Sequence, residues 1–305
     1  MSRVFFLWAG LLGVLVAAGP HPAPVRAVVL GVAQDGGVPH IGCTQRLCED
    51  ARRDPSQRQR VACLGLVDES AGQRFLIDAT PDLASQIESL GGPAVADPRR
   101  PVDGILLTHA HVGHYTGLMY LGREALGARG VPVYATPRMT RFLRENGPWN
   151  LLVSLGNIDL REIEAGREVA LTPGLRVTPV LVPHRDELSD TVGFRVRGPS
   201  RSLLYVPDID KWERWDRKVE DEVGGADTAL LDGTFEDAGE VPGRALADIP
   251  HPLVGETATR LAAVKGRVLF IHLNHTNRLL WDAGAQRDLA AKGFRVARDG
   301  EELPL

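Results

Sequence analysis

Apolar residues along the chain fall into short runs, alternating or continuous, and each run ends at a polar residue, a glycine or a proline. Runs of this kind bounded by turn residues read as buried strands. The first, residues 26–32, leads into Gln34-Asp35-Gly36-Gly37, a predicted tight turn whose glycines let backbone approach a bound group closely. After a polar loop, residues 61–67 and 74–79 make a predicted hairpin around Ala71-Gly72. Thr80-Pro81-Asp82 then opens a helix to Leu90, with Thr80 as N-cap and Pro81 at the first helical position. A Pro- and Gly-rich connection, residues 91–101, precedes an apolar strand at 102–107 and an amphipathic helix from Tyr115 that carries Leu118, Leu121 and Leu126.

Strand 131–135 and helix 137–146 complete a first block. A second block opens with strands at 157–164, 175–182, 191–197 and 202–206. Helices at 211–222, 256–264 and 282–292 then alternate with strands at 228–231, 267–271 and 294–297. Strands followed by helices, twice over, predict an α/β (α+β) fold in which two sheets pack together with helices outside, a four-layer αβ/βα sandwich. No repeat of solenoid period interrupts this doubling.

The first 27 residues stand apart. Arg3 precedes an apolar run at 4–18, then prolines, and the stretch ends in Val25-Arg26-Ala27, the three-part layout of a secretory signal peptide cut after Ala27. Residues 28–305 are then the mature domain, periplasmic or secreted, without stable membrane insertion once the leader is removed. The apolar run is shorter than the ~20 residues that span a bilayer comfortably. Export also changes how the three cysteines are read: Cys43 and Cys48 would form a disulfide or join His40 in a small metal site, and Cys63 would lie in the core. The remainder has a soluble enzyme's composition, and a net charge of −4 offers no basic excess for nucleic acid. A small-molecule substrate is the expected partner; oligomeric state is open.

Candidate chemistry concentrates at Thr108-His109-Ala110-His111-Val112-Gly113-His114, three of the chain's nine histidines at a predicted strand-to-helix turn. Imidazoles at a turn can converge on one point, whereas His at i and i+2 of a continuous strand face opposite ways. Neutral imidazole is the commonest zinc ligand and also suits iron. His184, Asp208, Asp232 and His272 each end an apolar run, where a scaffold holds side chains rigidly towards one site.

These residues carry a resemblance to the metallo-β-lactamase fold superfamily, and within it to the pyrroloquinoline quinone biosynthesis protein B group. Asp78 matches the superfamily's early structural Asp, residues 108–114 match its His-x-His-x-Asp-His motif, and His184, Asp208 and His272 match the third histidine, the bridging aspartate and the last histidine. The narrower likeness rests on Gly31-Val32-Ala33-Gln34-Asp35-Gly36-Gly37, on Asp232-Gly233-Thr234-Phe235 and on His272-Leu273-Asn274-His275-Thr276-Asn277. The resemblance implies a first metal position held by His109, His111 and His184, and a second held by His114, Asp208 and His272, with Asp208 between them. One departure matters: Gly113 stands where the motif has a ligand Asp, so the second position is expected to be the weaker. Asp35 and His275 are the candidates to compensate. Asp210 is either a carboxylate acting in this region or an N-cap.

One or two Zn2+ ions, or iron, are the expected cofactors. A divalent ion with an open position lowers the pKa of bound water to about 7 and polarises a carbonyl or phosphoryl oxygen. Hydrolysis of an ester, amide, lactone or phosphodiester follows as the first expectation, with Asp208 orienting the attacking hydroxide and His275 protonating the leaving group. The alternatives are a mononuclear iron oxidative enzyme, as the narrower resemblance suggests, and a metal- or small-molecule-binding protein without turnover.

Overall fold

The computed structural model describes Met1, residues 24–240, Gly243 and residues 249–305. Strands β1 (Val25–Val29), β2 (Leu64–Asp68), β3 (Gln73–Ile77), β4 (Gly104–Leu106), β5 (Val131–Ala135) and β6 (Ile158–Glu162) form one sheet. Strands β7 (Val169–Ala170), β8 (Arg176–Leu181), β9 (Val192–Arg197), β10 (Ser202–Val206), β11 (Thr228–Asp232), β12 (Val268–Ile271) and β13 (Arg295–Val296) form the other. The last strand, β14 (Glu302–Pro304), returns to the first sheet beside β1. From β14 to β6 the pairings are three antiparallel and then three parallel. The second sheet repeats that order from β7 to β13, so the doubling in the sequence is a doubling of sheets.

Strand alternation sorts side chains between layers. Leu64 and Leu66 of β2, with Phe75 and Ile77 of β3, meet Phe194, Leu203 and Tyr205 of the second sheet in the central core. Leu76, Ile105 and Val133 point the other way, under helices α2 (Leu83–Ser89), α4 (Pro137–Glu145) and α5 (Trp149–Ser154). Leu204, Val206, Leu231 and Phe270 lie under α6 (Val219–Gly224), α7 (Val254–Arg260) and α8 (Ala283–Ala291). Two further short helices, α1 (Arg46–Arg53) and α3 (Val112–Tyr115), lie on either side of the first hairpin in sequence. The predicted four-layer sandwich is the fold observed.

Several local expectations change. The helix expected from Tyr115 is only α3 and a 3-10 turn, Thr116–Leu121. The chain there is pressed onto the strand ends: Gly117 N donates to Ala79 O, and a β-carbon at Gly117 would lie 2.0 Å from Thr80 O. The helix expected at 211–222 is a 3-10 turn, Trp212–Arg214, followed by α6. Thr80 does not cap α2. Its hydroxyl accepts from Asp82 N and donates to Gln86, and α2 begins at Leu83.

The expected leader segment lies almost wholly outside the described residues, but its last three belong to β1. Val25, Arg26 and Ala27 pair with β2, and the buried Arg26 is held by Glu69 and Glu302. The domain therefore begins by Val25, ahead of the boundary expected at Ala27. Cys43 and Cys48 are free thiols, contrary to the disulfide expected. Cys48 is buried and its sulfur accepts from His40 N, while burial and the neighbouring Cys43 push its pKa up to about 11, so it stays a neutral thiol. Cys63 is a core residue as predicted. Among the described residues no helix is long and apolar enough to cross a membrane.

Candidate metal centre

Parallel strands of both sheets end on one edge of the sandwich, and the polar residues that follow them converge there. Asp78 follows β3, His109 and His111 follow β4, Asp208 follows β10, Asp232 closes β11 and His272 follows β12. His184 arrives after β8 and His114 from inside α3. Asp78 and His272 both adopt left-handed backbone, φ 75° and 64°. Non-glycine residues keep that conformation at a cost, typically where surrounding structure enforces it at functional sites.

Two groups of four donors result. His109, His111, His184 and Asp208 form one, and Asp35, His114, Asp208 and His272 the other, with the donor atoms of each group within 4.8 Å of one another. In the first, His109 Nε2 lies 2.9 Å from His111 Nδ1 and 3.5 Å from Asp208 Oδ2, and His184 Nε2 lies 3.5 Å from Asp208 Oδ1. In the second, Asp208 Oδ2 is 3.1 Å from His114 Nε2 and 3.2 Å from His272 Nε2, and Asp35 Oδ1 is 3.4 and 3.8 Å from the same nitrogens. With zinc–ligand bonds of about 2.0–2.1 Å, neighbouring donors in a coordination polyhedron stand about 2.9–3.4 Å apart, close to the spacing found. Asp35 Oδ1, His114 Nε2, His184 Nε2, Asp208 Oδ1 and His272 Nε2 are buried and have no hydrogen-bond partner. Buried polar atoms are normally satisfied, so five orphans facing one another fit a cation. The donor set of imidazoles and carboxylates suits zinc or iron.

Outer partners fix which nitrogen each histidine presents. Asp78 Oδ2 accepts from His114 Nδ1 at 2.8 Å, Thr108 Oγ1 accepts from His109 Nδ1 at 2.9 Å, Asp210 Oδ1 lies 3.3 Å from His184 Nδ1, and Thr234 Oγ1 lies 3.1 Å from His272 Nδ1. Each leaves Nε2 free towards the cluster. The exposed Glu187 sits 3.6 Å from His111 Nε2, leaving Nδ1 to face His109. Burial lowers the pKa of His109 and His111, keeping both neutral with lone pairs available. Burial opposes ionisation of Asp208 and Asp35 too, but the surrounding histidines outweigh it and hold both carboxylates well below their usual range. His114 is raised, because Asp78, Asp208 and Asp35 more than offset its burial.

The predicted donors His109, His111, His114, His184, Asp208 and His272 are thus brought together. Of the two compensating candidates, Asp35 lies in the cluster. His275 does not join either donor group; it stacks on His40 with ring centroids 4.3 Å apart. Burial and His40 lower its pKa, which makes it a neutral ring and a poor acid. Asp210 is not an N-cap, since Lys211 holds that place; it orients His184 and pairs with Arg214.

One residue escaped the sequence reading. His251 is buried, its Nδ1 donates to Asp232 Oδ2 at 2.8 Å and lies 3.4 Å from Asp208 Oδ1, and its ring is 5.4 Å from that of His184. Burial works against its protonation, but Asp232 and then Asp208 outweigh it and push its pKa up to about 9. Asp232 is itself fixed by Ile209 N and Thr234 N. His251 is therefore a buried imidazole held at the cluster by a second carboxylate, and with Asp208 and Asp232 it forms a third, three-membered group of possible donors.

A family model, the beta-lactamase superfamily domain, matches residues 73–273, which hold every predicted donor. The chain belongs to this superfamily and has its metallo-β-lactamase fold. It is similar to coenzyme PQQ synthesis protein B of Methylobacterium sp. (strain 4-46), 29% identical over 92% of this chain and 100% of the relative. The same-named protein of Cupriavidus necator is 30% identical over 91% of this chain and 98% of its own length. Among solved structures, Zn(2+)-bound PqqB from Methylobacterium extorquens superposes with a TM-score of 0.77 at 25% identity, covering 92% of this chain and 100% of that one. A diphosphatase from the PhnP family shares the fold, with a TM-score of 0.64, 22% identity, and 92% and 96% of the two chains covered.

Proposed function

We propose that this protein is a metal-dependent hydrolase of a small-molecule ester, amide, lactone or phosphodiester. The observation that supports it most is the pair of four-donor groups sharing Asp208. Divalent ions held there would supply an activated water and polarise the oxygen under attack. Asp208, facing both groups, orients the water. His251 replaces His275 as proton donor to the leaving group, because it is buried at the cluster and held by Asp232, whose carboxylate favours its protonated form. The test is leaving-group dependence. His251→Ala is expected to slow hydrolysis of alkyl esters or phosphodiesters by about 10²–10⁴-fold, the usual contribution of a positioned acid, and to change p-nitrophenyl substrates, whose leaving group needs no proton, far less. An equal loss on both substrate classes would remove His251 from this role.

A second reading follows the likeness to the PQQ synthesis relatives and the donor set of imidazoles and carboxylates, which suits iron as well as zinc: an oxidative enzyme with a mononuclear iron site. Elemental analysis of purified protein separates the two. About two zinc ions per chain support hydrolysis, and about one iron, with substrate-dependent oxygen uptake, supports oxidation.

Export remains part of this proposal, with the cut moved. Because β1 needs Val25, processing falls upstream of it, and Val16-Ala17-Ala18 supplies a small-residue pattern. Intact-mass measurement on extracytoplasmic protein is expected to show an N-terminus between Gly19 and Val25; a chain found there with Met1 retained would refute cleavage.

A further inference from the structure

The turn that carries Asp35 and the glycine of the histidine motif occupy each other's space. A β-carbon built on Gly113 would lie 2.3 Å from Asp35 Oδ1 and 2.7 Å from Asp35 Cα, closer than real β-carbons come to any atom. So the volume that a side chain at position 113 would fill already holds a carboxylate, and its Oδ1 is buried, has no hydrogen-bond partner and lies 3.4 Å from His114 Nε2. The turn is held firmly. Gln34 N donates to Leu273 O and Gly37 N to Gln34 O, and Ala33 bridges both Val61 and Leu273. Asp35 is thereby tied to the strand end that presents His272, through neighbours one residue from each donor.

We propose that Asp35 is the carboxylate donor of the second divalent-cation position and that Gly113 is its counterpart: the ligand has moved from α3 to the turn after β1, and residue 113 has lost its side chain to admit it. Asp35 lies outside residues 73–273, the stretch matched by the superfamily model, so the exchange recruits a segment beyond that domain core. The second position then has two histidines and two carboxylates, one shared, and is not the depleted site that Gly113 alone suggests. The inference rests on the two-ion reading of the cluster.

The experiment counts ions by mass spectrometry and titration calorimetry with Zn2+ on the full chain, with circular dichroism to check folding. The unaltered protein is expected to hold two ions. Asp35→Ala is expected to weaken the second by at least the ~10–100-fold that loss of a mere outer partner costs. Gly113→Ala should do the same without touching any donor, by displacing Asp35. The double variant Asp35→Gly with Gly113→Asp should recover the second ion, which a folding defect could not explain. Unchanged second-ion affinity in Asp35→Ala, or tighter binding in Gly113→Asp alone, overturns the proposal. Ion counts do not depend on turnover, so a protein with two Asp35-dependent ions and no hydrolysis refutes the hydrolase reading while leaving Asp35 in place.

Discussion

His111→Ala is expected to strip the first ion and with it the activity. His111 Nδ1 is 2.9 Å from His109 Nε2, and an alanine removes one of three imidazoles from a position whose fourth donor, Asp208, is shared. The affinity loss should exceed the ~10–100-fold typical of outer-partner mutations, because a metal–nitrogen bond itself is gone. If the protein is the hydrolase proposed above, hydrolysis should fall to background, since the ion would supply the activated water. Folding should survive: His111 is only partly buried and caps α3 without a side-chain bond to its backbone. Glu187→Ala serves as the control, because this exposed carboxylate only approaches the far nitrogen of His111. Elemental analysis after dialysis decides the matter; full metal content and full rate in His111→Ala would remove it from the ligand set.

The second large effect is expected at Asp78, which touches no candidate ion position. Its carboxylate, fully buried, accepts from Thr108 N at 2.8 Å, from the Thr108 hydroxyl and from His114 Nδ1. Because Thr108 Oγ1 in turn accepts from His109 Nδ1, a single carboxylate sets the tautomers of one ligand in each position. Asp78→Ala leaves three buried donors facing a cavity and puts alanine at φ 75°, so a loss of about 3–5 kcal/mol is expected in denaturant unfolding. Asp78→Asn separates stability from chemistry. Asparagine tolerates left-handed backbone and still accepts from Thr108, but its amide faces His114 Nδ1 and forces the proton onto Nε2. The fold should hold while the second ion weakens by ~10–100-fold. An alanine variant within about 1 kcal/mol of the original would show that the network matters less than its burial suggests.

The sandwich was legible because strand alternation and burial are the same fact seen twice: Leu64 and Leu66 face one core, Leu76 and Ile105 another. The histidine turn was legible because the motif is local. What was not legible depends on contacts distant in sequence. Leu118, Leu121 and Leu126 have helical spacing, but Gly117 is pressed against the backbone of Ala79 and Thr80, and the helix gives way to a 3-10 turn. His251 sits in Ile249-Pro250-His251-Pro252, after no apolar strand. Its only signals were the flanking prolines and Asp232, a strand-end carboxylate with no assigned partner. Asp35 was visible as an acid beside two glycines, but nothing local tells that it fills the space above Gly113.

The origin of the donors has a consequence for how the protein is made. Each position draws two donors from either side of the seam between the sheets: His109 and His111 against His184 and Asp208, and Asp35 and His114 against Asp208 and His272. A chain emerging from its N-terminus carries the whole histidine turn long before the second sheet exists. At that stage it can offer an ion no more than half of either coordination shell. A complete shell thus requires synthesis as far as Asp208 for the first position and as far as His272 for the second, with the two sheets closed on each other, so full coordination is expected only late in the protein's biosynthesis, in the compartment where folding finishes.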